Sequence, residues 1–236
     1  MALSGWYVPS RNGAAVVLLH GAGSTRSTVL PHAVVLADDG FGVLLYDARG
    51  HGRSQGRAMD FGWYGDLDVA AAVDFVAGQA DVKPGRVAAL GLSMGGEEAL
   101  GAAASDPRIR AVVAEGGTTR VAGDKAWLSD VHGVRGWAQE QLDRAMYATA
   151  DVLTAASPPI RLQDAGARTS PRAILLITAG AVPDEGHAAT HIRAESPATV
   201  QVWTAPGAGH TRALAVHPAE WEDRVVSFLA HALGLP

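Results

Sequence analysis

One serine stands where an apolar run gives way to a helical pattern. The segment Gly91-Leu92-Ser93-Met94-Gly95-Gly96 directly follows the apolar residues 87–90 and leads into the Ala- and Leu-rich residues 97–104. G-x-S-x-G between a strand and a helix predicts a sharp turn that lifts a serine hydroxyl off the end of a sheet. Glycines suit such a turn because the backbone folds close on itself and a Cβ there would clash. The Met94 amide then opens a helix and faces the same point as the hydroxyl. Two further loops follow apolar runs: His20-Gly21-Ala22-Gly23 after residues 14–19, and Asp47-Ala48-Arg49-Gly50-His51-Gly52-Arg53-Ser54 after Gly42–Tyr46. A backbone amide of the first, that of Ala22, can join Met94 as a pair of donors to an oxyanion, the arrangement acyl transfer requires.

The elements that must hold these loops are short apolar runs alternating with helical stretches. The runs are residues 3–8, 14–19, 42–46, 87–90, 111–114, 173–178 and 200–203. Most are apolar at every position, as strands covered on both faces should be. Between them, residues 64–78, 95–104 and 218–233 read as helices. The expectation is an α/β domain spanning 1–236, with a mostly parallel sheet of about seven strands and helices on both faces. Residues 3–8 would lie at or near an edge. Residues 120–170 break the alternation, and a segment of about 50 residues without a strand predicts a small cap or lid. Within it Val134, Trp137, Leu142 and Met146 suit one amphipathic helix.

Composition narrows the chemistry. The 236 residues carry 19 basic and 24 acidic side chains, a net charge of −5, with no basic footprint for nucleic acid. Cysteine is absent, which excludes disulfides, thiolate catalysis and Cys-ligated zinc. His187 and His191 share a helical spacing, but no H-E-x-x-H pattern accompanies them, so no metal is expected. The glycines at 50, 52 and 56 miss the dinucleotide-binding spacing, and no cofactor is expected. No apolar run is long enough to span a membrane, and residues 1–7 lack the regions of a signal peptide.

The three loop motifs, in this order, resemble the α/β-hydrolases, close to the small bacterial esterases, the dienelactone hydrolases and the serine-peptidase-like branch. The likeness runs from Gly5 to the final helix. It implies a Ser–acid–His triad in that chain order. Ser93 is then the nucleophile, and His210, ending Ala205-Pro206-Gly207-Ala208-Gly209-His210, is the general base and acid. The acid belongs in the loop after residues 173–178, where Asp184 is favoured and Glu185 is the alternative. Ala22 and Met94 form the oxyanion hole. Leu92, Trp127, Trp137, Leu142 and Met146 are candidates for the substrate pocket, and no cationic clamp for a substrate carboxylate stands out.

The resemblance implies a carboxylesterase acting on small or medium acyl esters, with a small-molecule ester as partner. A peptidase, amidase or thioesterase on the same triad is the alternative, and a non-catalytic binding protein of the same fold is the alternative of another class. The H-G-x-G loop, which follows the third strand in the family, arrives by residue 20, so one leading strand is expected to be missing. A cytoplasmic location is the corresponding expectation, and the oligomeric state is left open.

Overall fold

The structure, a computed structural model, describes residues 1–56 and 60–236. Seven strands form one sheet: β1 (Gly5–Val8), β2 (Ala15–Leu19), β3 (Gly42–Tyr46), β4 (Val87–Leu92), β5 (Ile109–Glu115), β6 (Ala173–Ala179) and β7 (Val200–Ala205). Their order is β1-β3-β2-β4-β5-β6-β7, and all neighbours are parallel except β1, which runs antiparallel to β3 at one edge. Every predicted run lies within a few residues of one of these strands. The elements between them are helices: α1 (Leu30–Asp38), α2 (Gly65–Ala77), α3 (Met94–Ser105), α4 (Leu128–Leu153), α5 (Leu162–Thr169), α6 (Pro183–Arg193), α7 (Ala213–Val216) and α8 (Pro218–Ala232).

The two-residue period of a strand divides the core. Ala15, Val17 and Leu19 point to one face, where Val69, Val73 and Val76 of α2, Leu100 of α3 and Leu162 of α5 cover them. Val16 and Leu18 point to the other, under Leu36 of α1 and Trp221, Val225 and Leu229 of α8. Because both faces are covered, β2, β3 and β4 are buried at every position, whereas edge strand β1 is mostly exposed.

Residues 120–170 contain no strand. They form a 3-10 turn (Ala122–Lys125), the long helix α4, an extended stretch and α5. Leu162 and Ala165 of α5 belong to the main core, while the outer segment has only small apolar clusters, one around Trp63 and Tyr147 and one around Trp127, Leu128 and Ala188. Helix α4 breaks at Gly133 (φ 55°, ψ −133°), and its first turn folds back so that the Ser129 amide donates to Glu140 Oε1 at 2.8 Å. No helix among the described residues is long and apolar enough to cross a membrane.

Candidate active site

Ser93 lies between the last residue of β4 and the first of α3, with φ 54° and ψ −125°. A non-glycine residue in that region is strained, and such strain persists only where the surroundings impose it. Here the Ser93 amide donates to the Glu115 carbonyl at 2.7 Å, while its own carbonyl accepts from the amides of Gly96 and Glu97. The flanking glycines follow from the fold-back: a Cβ on Gly91 would lie 2.1 Å from the Gly95 oxygen, and one on Gly95 would lie 2.6 Å from the Leu19 oxygen. The turn thereby packs against the end of β2. The loop after β2 is its neighbour, since a Cβ on Gly21 would stand 3.1 Å from Ser93 Cβ. Ala22 follows in that loop, and Met94 opens α3 with an amide in the first turn, where helical partners are lacking.

The other two histidine motifs hold loops in place. The Ala48 amide donates to His20 Nε2 at 3.0 Å, so Nδ1 carries the proton and donates to the Gly21 carbonyl at 2.8 Å. Burial pushes the His20 pKa down, in keeping with a neutral ring. Asp47 accepts from the amides of Arg26 and Arg53, and Arg49 pairs with Asp68. Asp47 and Arg49 of the D-x-R-G-H-G-x-S segment are thus engaged in tethers to neighbouring segments.

His210 follows β7, as predicted, and its Nδ1 lies 2.7 Å from Glu185 Oε1. The second Glu185 oxygen accepts the Ala179 amide at 2.7 Å, so the carboxylate is fixed between the end of β6 and the imidazole. Asp184, the favoured acid from sequence, lies elsewhere: its Oδ1 is 3.1 Å from His132 Nε2. The side chain of Glu185 is 3% exposed and that of Asp184 is 56% exposed. The reason is the start of α6 at Pro183. Successive helical side chains diverge by about 100°, and this register turns residue 185 inward and 184 outward. The Glu185 hydrogen bond, outweighing burial, raises the His210 pKa above the ordinary histidine value.

Two features at the end of β5 were not read from the sequence. Gly116 (φ +70°) lies against the imidazole, and a Cβ there would come within 2.8 Å of His210 Cε1. Glu115 is buried, and its carboxylate accepts the Ala213 amide at 2.8 Å and Trp221 Nε1 at 3.3 Å, which holds the chain just after His210. One residue therefore anchors Ser93 through its carbonyl and the His210 loop through its side chain. Ser93 Oγ itself makes no hydrogen bond within the described residues; such contacts often tighten only when substrate binds.

A cavity of about 490 Å³ opens beside His210, between α6 and the segment carrying α4. Of the five predicted pocket residues only Trp127 lines it. Leu92 is buried in the core, and Trp137, Leu142 and Met146 are exposed on the outer side of α4. The face that α4 turns inward carries Gly136, Glu140, Asp143, Tyr147 and Ala150. Spacing identified the helix correctly but not which side would be covered. His187 stacks on Trp127 at 5.5 Å, and no three His, Asp or Glu side chains among the described residues converge as metal ligands.

Comparisons with known proteins bear on the family and the fold. Over 110 residues the chain is 39% identical to the uncharacterized protein Rv2307c of Mycobacterium tuberculosis, a match covering 45% of this chain and 38% of that one. It is 33% identical over 115 residues to the thiohydrolase aneE of Aspergillus aculeatus, covering 45% of this chain and 35% of that one. These matches thus span well under two thirds of either relative's length. Among solved structures, the Pyrococcus furiosus esterase Pf2001 superposes with a TM-score of 0.74 at 25% identity, covering 98% of this chain and 86% of that one. Residues 10–168, more than half of the chain, match the family described as serine aminopeptidase, S33. The seven-stranded sheet with its strained serine turn is an α/β-hydrolase fold, and the chain belongs to that S33 family.

Proposed function

We propose that the protein is a serine hydrolase that cleaves carboxylic esters of small or medium acyl chain, with Ser93, His210 and Glu185 as its triad. The observation that carries this reading is the strained backbone of Ser93 at the strand–helix turn. A conformation of this cost is expected where it serves to present a nucleophile. His210 takes the Ser93 proton as Oγ attacks the acyl carbon, and Glu185 holds the imidazole tautomer and stabilises the imidazolium. The Ala22 and Met94 amides receive the oxyanion. His210 then protonates the departing alcohol, and water, activated by the same histidine, releases the acid from the acyl-enzyme.

The segment from the 3-10 turn at Ala122 through α4 acts in this reading as the cap, while α5 belongs to the body of the domain. The esterase named among the structural neighbours supports an oxygen ester as substrate, and the thiohydrolase and aminopeptidase names make thioesters and amides the comparison substrates. The test is Ser93→Ala against a panel of 4-nitrophenyl esters, a thioester and an amino-acyl anilide. Ester turnover should fall by about 10⁴-fold or more, and rapid fluorophosphonate labelling should disappear with it. Undiminished turnover in the variant overturns the assignment, and a wild-type preference for anilide over ester would move the substrate class to amides.

A further inference from the structure

The cavity beside His210 is lined on its cap side by three basic side chains, Lys125, His132 and Arg135, which the sequence scatters along eleven positions. Two of them are matched by acids. Lys125 lies 3.4 Å from Asp143, and His132 lies 3.1 Å from Asp184. Glu185, the remaining acid on the wall, is committed to His210 at 2.7 Å. Arg135 has neither an ion pair nor a hydrogen bond among the described residues. It sits two residues beyond the break at Gly133, which directs this part of α4 past the cavity. The same cavity is partly apolar, lined also by Trp127, Leu128 and Val182.

This arrangement suits a ligand with an apolar stem and an anionic end. A guanidinium offers a planar fork that binds a carboxylate through two parallel hydrogen bonds. On a wall whose acids already have partners, Arg135 is the cation left to receive one. We infer that Arg135 is a specificity residue that binds a carboxylate carried by the substrate, several bonds from the ester that Ser93 attacks. The inference rests on the serine-hydrolase reading and deepens it: the substrate class becomes esters of carboxylate-bearing acids or alcohols.

Two matched pairs of esters test it, each differing by a terminal methyl against a carboxylate. 4-Nitrophenyl hexanoate against 4-nitrophenyl hydrogen adipate places the charge on the acyl side. 4-Methylphenyl acetate against 4-acetoxybenzoate places it on the alcohol side. The wild type should favour the anionic member of at least one pair by about tenfold or more in kcat/KM, the scale of a charge-assisted hydrogen bond. Arg135→Gln should erase that ratio, and Arg135→Lys, which keeps the charge without the fork, should retain part of it. Using the ratio within each enzyme cancels any loss of folded protein. A wild type indifferent to the charge in both pairs, or a ratio that survives Arg135→Gln, overturns the inference. Turnover of all four esters that persists in Ser93→Ala would instead overturn the triad, so the two failures are distinguishable.

Discussion

The rim of the sheet and the cap helix are held by different means, and His210 and Glu185 of the first share a cavity with Lys125, His132 and Arg135 of the second. At the rim, position is set by backbone: Ser93 by a turn whose glycines have no room for a Cβ, His210 by the bare chain at Gly116, and Glu185 by the amide at the end of β6. On the cap, side chains are paired, His132 to Asp184 of α6 and Lys125 to Asp143 within the cap itself. Helix α4 also reverses the usual arrangement. Its acids Glu140 and Asp143 are buried, whereas Val134, at 83% exposed, and Trp137 face outward. In the proposed reading, chemistry that needs fixed geometry belongs on the first region, and selection among substrates on the second.

The sharpest break in that comparison comes from the two neighbouring carboxylates. Glu185→Gln should lower kcat by about 10³–10⁴-fold, as loss of the acid does in other triads. Asp184→Asn should cost less than about fivefold, the scale of an exposed ion pair. Steady-state kinetics reads both, and a reversed ranking would return Asp184 to the triad. The pH profile adds a signature. Because Glu185 raises the His210 pKa, the acid limb of kcat/KM should shift to lower pH in Glu185→Gln.

Gly116→Ala tests whether backbone alone seats the base. The added methyl must displace the imidazole or the strand end, and a displacement of about 1 Å can cost around 10²-fold. The melting temperature should change far less than the rate, since Gly116 lies at a strand terminus.

The smallest expected effect concerns stability. Burial pushes the Glu98 pKa up to about 8 and that of Glu97 up to about 7. A carboxyl raised in the folded state binds a proton there that the unfolded chain releases. Its contribution is therefore complete below the unfolded value near 4.5 and is lost as pH rises to about 8. The melting temperature should fall between pH 5 and pH 9, and Glu98→Gln should flatten that fall and raise the value at pH 9. Trp137→Ser, on the outer side of the cap, should shift it by less than about 2 °C. A larger drop would mean that this face is covered in solution.

Most of the framework was legible in the sequence because strand ends announce themselves. Apolar runs give strands, and glycine-flanked polar residues after them give loops, whatever the rotation of neighbouring helices. That is why Ser93, His210 and the seven strands could be placed. What failed depended on rotation. Asp184 and Glu185 are adjacent, and only the starting register of α6 decides which one turns inward. In α4 the apolar spacing of Val134, Trp137, Leu142 and Met146 revealed a helix, but the acids on its other side are the residues that it covers. Glu115, Glu97 and Glu98 lie within otherwise apolar strands and helices, where nothing in the local pattern sets a buried carboxylate apart from an exposed one. Arg135 was legible as an arginine but not as the cation without a partner, because that status depends on three pairings made across the fold.

Glu115 has a consequence for how the site comes apart. Its carbonyl holds the Ser93 amide and its carboxylate holds the Ala213 amide. A local opening that lifts the end of β5 would loosen the Ser93 turn and the loop after His210 together, so this strand end couples the two.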